Sequence, residues 1–594
     1  MSDAARTIAA PLPTAAGGGV LHRRGTIAVV HLRGTARERG RQHGELLRDE
    51  IRGGIVTYFC DVFRTRLRKA AEQSGKLVAR LIPLAVKEFY LANFIFPRLI
   101  VHMPHEMREE LAGLAEGAGI DVAEIAQTSV FADLYLYFLG KNFQGMGKLL
   151  PDSAFDACTS LAAWGPATAD GSFLYARNLD FFGVGIWDRR PAVFYHHPNQ
   201  GMPYVSIACA GVGPAGITGI NQAGLTVAPQ LKRTRAVSLD GLPMLYLATE
   251  IVRRAESLDD AVRLAQEGPK PAVGFSLVIT DARHRTAAAL ECSHDGVLVR
   301  RRATGNGGWN DPDLPAGTFV QTNHYTTAHR EKELDINAAI RAHTLGRYRR
   351  AQDLLRRDHG RITPQDMVEY LADHFDPFAG RERSIGNIIV QPCNISAVVF
   401  RPDAGEFWVA EGDTPASHSR YRRFALDEAP GVEETHSLDP PRWVDEPRFA
   451  GYRDYVRAYA DNLGDADPES LIALVARARA CDPEEPIYAY ICGLLRLKQA
   501  RWADAEQELA AAGALAGSDL PHRRAAIGLW AAVARSLQGK WQEARETFAQ
   551  AAGDERLGSD VRGWARTWAE RAPEADDLRV MTPDLQYGDM MVSP

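Results

Sequence analysis

The stretch "FDACTSLAAWGPATADGSFLYARNLDFF", residues 155–182, decides how this chain is read. An apolar strand opens on Cys158, the segment "ATADG" turns the chain back, and "ARNLD" closes the return strand. Asp-Gly between two strand-like runs is a hairpin signal, because both residues adopt the backbone conformations a tight turn requires. The hairpin returns Arg177 and Asp180 to the start of the first strand. Free cysteine is most often a small buried hydrophobe. Here, however, the preceding "PDSAFDA" is small and turn-like, which predicts an exposed, strained link between Ala157 and Cys158 with a cation and an anion beside it.

Working outward toward the N-terminus, "TIAVVHLRG" reads as a strand feeding a helix that opens with Thr35 and Glu38 spaced as a capping box. Residues 70–150 carry helical periodicity. Downstream of Cys158, short β segments such as "YVSIACAG", "GLTVAPQ", "FSLVITDA" and "ISAVVFRPDAGEFWVAEGD" alternate with helical stretches, which implies a layered α+β body. The segment "LDEAPGVEETHSLDPPRWVDEP" reads as a linker, and beyond it the sequence is almost purely helical. There "RWADAEQELAAA" aligns with "KWQEARETFAQAA", pairing Trp502 with Trp541, Ala505 with Ala544, Leu509 with Phe548 and Ala512 with Ala551. This resembles the tetratricopeptide helix-turn-helix repeat, whose period is about 34 residues. So few units predict a helical domain that docks on the catalytic body.

Bulk properties narrow the function. At 594 residues with a formal net charge of -6, the chain has material for two or three domains and no basic footprint for nucleic acid. Seven cysteines with no CxxC pair exclude a disulfide framework or a zinc site. The N-terminus lacks the apolar core of a signal peptide, and "FYLANFIF" is far short of the ~20 apolar residues that span a bilayer. The expectation is a cytoplasmic protein with free thiols, no transmembrane segment, no nucleic-acid partner, and neither metal nor cofactor.

Cys-Thr-Ser, the DG turn and Ala-Arg-Asn-Leu-Asp resemble the N-terminal-nucleophile hydrolases of the penicillin acyltransferase group, and more distantly acid ceramidase and the bile-salt hydrolases. "GTARERGRQHGELLRDEI", "GINQAGLTV", "QTNHY" and "ISAVVFRPDAGEFWVAEGDTPAS" extend the resemblance over residues 26–420. It implies an αββα sandwich and a precursor that cuts itself between Ala157 and Cys158, leaving Cys158 as nucleophile with its own α-amine as general base. That amine, with a pKa of about 7.7–8.0, is suited to take a proton from a thiol near 8.5. By the same resemblance Arg177 favours the thiolate, Asp180 orients the α-ammonium, and Asn221 and Asn323 contribute to the oxyanion hole. Against this, Arg177 and Asp180 also suit a structural ion pair, and Asn221 before "AG" suits a turn. Arg383 and Glu291 are secondary candidates, a solvated-loop charge and a buried partner respectively.

The organisation expected is a loose N-terminus (1–25), a mainly helical leader (26–157), the catalytic core (158–425), a linker (426–450), helical repeats (451–575) and a tail (576–594). "GVGPAG" at 211–216 has a GxGxxG pattern but leads into a second turn without a helix, so it is no dinucleotide site. His196 and His197 read as surface or turn residues, and the Asn394 sequon as unused. The activity expected is attack on a linear non-peptide amide through an acyl-thioester on Cys158, ending in hydrolysis or acyl transfer. The apolar leader suggests an apolar acyl chain on that small-molecule substrate. The alternatives are a ceramide-like lipid amide hydrolase, and an inactive scaffold that binds a protein partner through its repeats.

Overall fold

The computed structural model describes residues 14–73, 82–142, 157–213, 217–301, 314–334, 338–432, 436–463, 466–517 and 521–592. Two β-sheets form its centre. The larger runs β1 (Thr14–Ala16), β2 (Gly19–Arg24), β3 (Ile27–Gly34), β6 (Pro191–Pro198), β7 (Tyr204–Cys209), β8 (Thr218–Asn221), β9 (Leu225–Leu231), β10 (Phe275–Asp281), β11 (Thr286–Ser293) and β12 (Gly296–Arg301), in that spatial order. The smaller runs β13 (Thr318–Gln321), β4 (Ala157–Ala163), β5 (Leu174–Asp180), β16 (Asn394–Arg401), β17 (Glu406–Glu411) and β18 (Arg420–Ala425), while β14 (Phe375–Asp376) and β15 (Arg381–Glu382) pair with each other as a short separate ribbon.

Strand alternation builds the layers. Val29, Val193, Tyr195 and Val278 of the larger sheet meet Ala162, Tyr175, Val398 and Phe400 of the smaller one in a core between the sheets. The other face of the smaller sheet, with Leu161, Ala176, Ala397 and Val399, packs on the helices Ala338–Arg357 and Pro364–Leu371 through Leu354, Leu355, Met367 and Leu371. The outer face of the larger sheet, with Leu32, Phe194, Leu277 and Ile279, joins the core of the leader helices and the helix Met244–Arg254. Helices thus cover both outer faces, and the body is an α+β sandwich of the αββα kind.

The leader is woven into this body. β3 pairs in parallel with β6, Ala28 opposite Ala192 through Gly34 opposite Pro198. The Thr35–Glu38 capping box opens the helix Ala36–Leu46, which crosses the helix His105–Ala118 at very close range. A Cβ on Gly40 would lie 1.9 Å from the Glu110 carbonyl oxygen, and one on Gly113 2.1 Å from that of Arg37. Only glycine permits such an approach.

After residue 446 the described residues form seven successive α-helices, Pro447–Leu463, Pro468–Cys481, Pro486–Lys498, Trp502–Leu515, Pro521–Leu537, Trp541–Gly553 and Ser559–Glu570, each packed on the next. Trp502 and Trp541 both begin helices, and the aligned sets Ala505, Leu509, Ala512 and Ala544, Phe548, Ala551 are buried at matching spacing. The helical region is seated on the body: Arg383 forms a buried ion pair with Glu485 at 2.5 Å while holding Asp376 at 3.2 Å, and Ser384 bonds Asp482. Arg383 is therefore a buried clamp and not a solvated loop charge. In place of an open tail, β19 (Met581–Asp584) and β20 (Asp589–Val592) form a hairpin whose Met581, Leu585, Tyr587 and Met590 are buried. Among the described residues no helix is long and apolar enough to cross a membrane.

Candidate active site

β4 and β5 pair antiparallel as the turn chemistry requires, with Ala157 opposite Asp180, Cys158 opposite Leu179 and Ser160 opposite Arg177. Ala162 and Tyr175 face the core between the sheets, so Cys158 and Arg177, an even number of residues away on each strand, face the same side. Arg177 spans the gap. Its Nη1 donates to Thr218 on β8, its Nη2 donates to the Pro229 carbonyl on β9, and Nη2 stands 4.0 Å from Cys158 Sγ. Burial pushes the Cys158 thiol up; Arg177 pulls it back, and Asp180 opposes that pull.

The Ala157–Cys158 link is not exposed. Ala157 is fully buried and Cys158 only 3% exposed, because β4 already begins at Ala157 and is hydrogen-bonded there to its neighbours. Residues 151–156, the turn-like segment ahead of it, lie outside the described residues.

Asp180 sits across from the Ala157 end of the link. Its Oδ1 accepts from Asn394 Nδ2 at 2.8 Å, and its Oδ2 is buried with no partner among the described residues. Burial raises its carboxyl to about 7, with Arg347 the strongest opposing influence. Asn394, read as an unused sequon, is buried and also accepts the Ser417 N–H at 2.8 Å, which fixes its amide toward Asp180.

The two asparagines separate. Asn323 follows β13, and its Oδ1 accepts the Cys158 backbone N–H at 2.8 Å while its Nδ2 donates to the Leu231 carbonyl at 3.0 Å. Its oxygen faces the Cys158 nitrogen, and its own nitrogen is turned to the Leu231 carbonyl. Asn221 is not brought to Cys158. On β8, Thr218 faces inward to Arg177, and Asn221, three residues on, faces the outer helices; there Nδ2 donates to the Val252 and Ala255 carbonyls and Oδ1 accepts from Ala223 and Leu225 N–H. The turn reading of Asn221 fits this geometry.

Arg347, on the helix Ala338–Arg357, is a site residue that sequence reasoning missed. Its Nη1 donates to the Cys158 carbonyl at 2.6 Å and to Thr159 Oγ1 at 3.1 Å, and its Nη2 to Asn323 Oδ1 at 2.8 Å. One planar fork thereby ties the Cys158 backbone to the asparagine that holds its nitrogen. In sequence it is one arginine in the basic run "RAHTLGRYRRAQDLLRR", and only its burial distinguishes it.

Beyond Asp180 lies an aromatic group. Phe59 stacks on Phe131 at 4.5 Å, Phe131 meets Phe182 edge-on at 5.5 Å, and Phe181 meets Phe182 at 5.2 Å. In "FYLANFIF", by contrast, Phe89, Tyr90 and Phe94 are exposed on the outside of the leader. Glu291 accepts from Thr326 and Thr327, as a buried structural partner does. His196 and His197 are strand residues of β6, and His196 is buried against Tyr204 at 4.3 Å. They are not turn residues, because β6 continues to Pro198.

Comparison with known proteins agrees with this architecture. An uncharacterized protein of Archaeoglobus fulgidus is 24% identical over 429 residues, 68% of this chain and 67% of its own. Two Dictyostelium discoideum proteins, dcd1B and dcd1A, are 22% and 25% identical over 52% and 46% of this chain. The matches span 59% and 60% of those two proteins' own lengths, short of two thirds. The profile of the acyl-coenzyme A:6-aminopenicillanic acid acyl-transferase family matches residues 167–415, a span that includes Arg177, Asp180, Asn323 and Arg347 and begins just after Cys158. Over that span the layered body of this chain is similar to the acyl-coenzyme A:6-aminopenicillanic acid acyl-transferase family.

Proposed function

We propose that the chain is a self-processing cysteine hydrolase or acyltransferase that acts on a linear, non-peptide amide. The observation that carries this reading is the grip on Cys158: its N–H on Asn323 Oδ1 at 2.8 Å, its carbonyl on Arg347 at 2.6 Å and the Arg177 guanidinium 4.0 Å from Sγ. In the first step Sγ attacks the Ala157 carbonyl carbon. The C–N bond breaks, the nitrogen takes the thiol proton, and a thioester joins Ala157 to Sγ. Water then hydrolyses the thioester, releasing a carboxylate on Ala157 and a free thiol on Cys158.

The nitrogen so freed is the one Asn323 already holds. As an amine it takes the thiol proton when Sγ attacks a substrate carbonyl and returns it to the departing amine, a general base built into the nucleophile. The buried Asp180 carboxyl, with one oxygen unpaired, is placed to orient the ammonium form. The acyl-thioester is discharged by water or by a second amine. The aromatic group of Phe59, Phe131, Phe181 and Phe182 next to Asp180 favours an apolar acyl portion, the chemistry shared with lipid N-acyl amides.

The test is a panel of fluorogenic acyl amides of increasing chain length, assayed with wild type and Arg177→Met. The reading expects turnover that rises with acyl length and falls at least about 100-fold in the variant. Equal rates for both proteins contradict it. A scaffold that only binds a protein would show no turnover.

A further inference from the structure

The loop of the C-terminal hairpin, Leu585 to Gly588, is wedged between the helical region and the catalytic body. On the helical side, Tyr455 Oη donates to the Leu585 carbonyl at 2.5 Å, and Arg523 donates to the Tyr587 carbonyl at 2.9 Å and to that of Gly588. Asp589, just after the loop, pairs with Arg523 at 3.2 Å and accepts from Tyr490 at 2.6 Å. On the body side, Tyr587 accepts from Arg233 Nη2 at 3.2 Å and sets its ring edge-on to His343 at 4.7 Å.

Those two body residues flank the grip on the nucleophile. Arg233 lies two residues after Leu231, whose carbonyl holds Asn323, and His343 lies one helical turn before Arg347. Asp584 of β19 accepts from the Gln586 and Tyr587 N–H groups at 2.9 and 3.0 Å. The Cys393 thiol, next in sequence to the Asn394 that holds Asp180, is pushed up by burial and then by Asp180, Cys158 and Asp584, and burial likewise raises the Tyr452 phenol of the helix Pro447–Leu463.

In this wedge stands Gln586. It is 2% exposed, and neither its amide nitrogen nor its amide oxygen has a hydrogen-bond partner among the described residues; the hydroxyl of Tyr452 is likewise buried and unpaired. A buried amide left unpaired on both atoms costs several kcal/mol unless something supplies a donor and an acceptor together. The neighbouring wall of aromatic rings beyond Asp180 suits the acyl side of an amide. Through Arg233 and His343 the hairpin adjoins the segments whose Leu231 and Arg347 hold Asn323, the residue on the nitrogen that would hand its proton to the departing amine.

We propose that the hairpin loop is the wall of the amine-side subsite, and that Gln586 selects amides whose nitrogen portion carries a paired hydrogen-bond donor and acceptor. The helical region then serves as a seat that presents this loop to the catalytic body. The inference rests on Cys158 being the nucleophile, and it extends that reading to the second half of the substrate.

The test uses the full-length protein and two covalent probes, N-(carbamoylmethyl)chloroacetamide and N-propylchloroacetamide. In each, Cys158 Sγ displaces chloride from the CH2 carbon, and labelling of the Cys158 peptide is followed by mass, so no turnover is needed. Wild type should label at least tenfold faster with the carbamoyl probe. Gln586→Leu and Gln586→Met, read side by side so that misfolding of one leaves the other, should each reduce that preference about tenfold. A preference within twofold of wild type in the folded variants overturns the proposal, as does no labelling of wild-type Cys158 by either probe. A preference that collapses in a chain that never cuts itself sustains the subsite while removing self-processing.

Discussion

The side-chain oxygen of Asn323 accepts the backbone N–H of Cys158 at 2.8 Å, while the nitrogen of the same amide is held by the Leu231 carbonyl. This orientation points the Asn323 oxygen at the nitrogen that self-cutting would free as an α-amine. Asn323→Leu, close in shape and without the acceptor, should slow self-cutting and amide turnover by about 100-fold. Asn221→Ala should act oppositely, lowering stability by roughly 2 kcal/mol through four lost backbone hydrogen bonds while leaving kcat near wild type. Rate loss in Asn221→Ala without loss of stability would refute this division.

Arg347 bridges the Cys158 carbonyl and Asn323 with one guanidinium. Lysine keeps the charge but not the fork, so Arg347→Lys should retain a folded protein and lose at least about tenfold in the rate of self-cutting. If charge alone matters, Arg347→Lys will cut at the wild-type rate and Arg347→Met will not.

The leader should stay after the cut. Because β3 pairs in parallel with β6 and Gly40 and Gly113 bring two leader helices into backbone contact, the two pieces form one sheet and share one core. Gel filtration of processed protein should give a single particle of unchanged size, separable only by denaturant. Gly113→Val, whose branched side chain has no room against the Arg37 carbonyl, should sharply reduce the yield of folded protein. Release of the leader without denaturant would contradict the account.

Acid should weaken the larger sheet. His22, His31 and His197 lie in a row across β2, β3 and β6, with ring centres 5.8 and 6.1 Å apart. Burial, then the neighbouring imidazoles, holds His31 down at about 3, and burial likewise lowers His22 and His197. The unfolded chain therefore binds more protons than the folded one between about pH 6.5 and 3, and stability falls as pH drops through that window. His31→Phe should flatten the slope of urea stability against pH over that range; an unchanged slope excludes the histidine row as its source.

The hairpin that carries Cys158, Arg177 and Asp180 is legible in sequence because its signal is local, a DG turn between alternating runs. The capping box at Thr35 and the paired Trp502 and Trp541 are legible for the same reason. The rest is set by tertiary placement. Asn221 and Asn323 both sit beside turn residues, and only the facing of β8, with Thr218 inward and Asn221 outward, parts them. Arg347 is hidden among surface arginines of its own helix. The C-terminal hairpin is too short to be stable alone and gains its structure from the two bodies it lies between.

The most direct test is the intact mass of wild type beside Cys158→Ala. Cutting before Cys158 divides 594 residues into 157 and 437, so in proportion to 65.2 kDa the wild type should yield pieces of roughly 17 and 48 kDa, the larger beginning with cysteine. Cys158→Ala should remain whole at about 65 kDa. Both proteins remaining whole, or both being cut alike, would contradict the claim that Cys158 makes its own N-terminus and uses it.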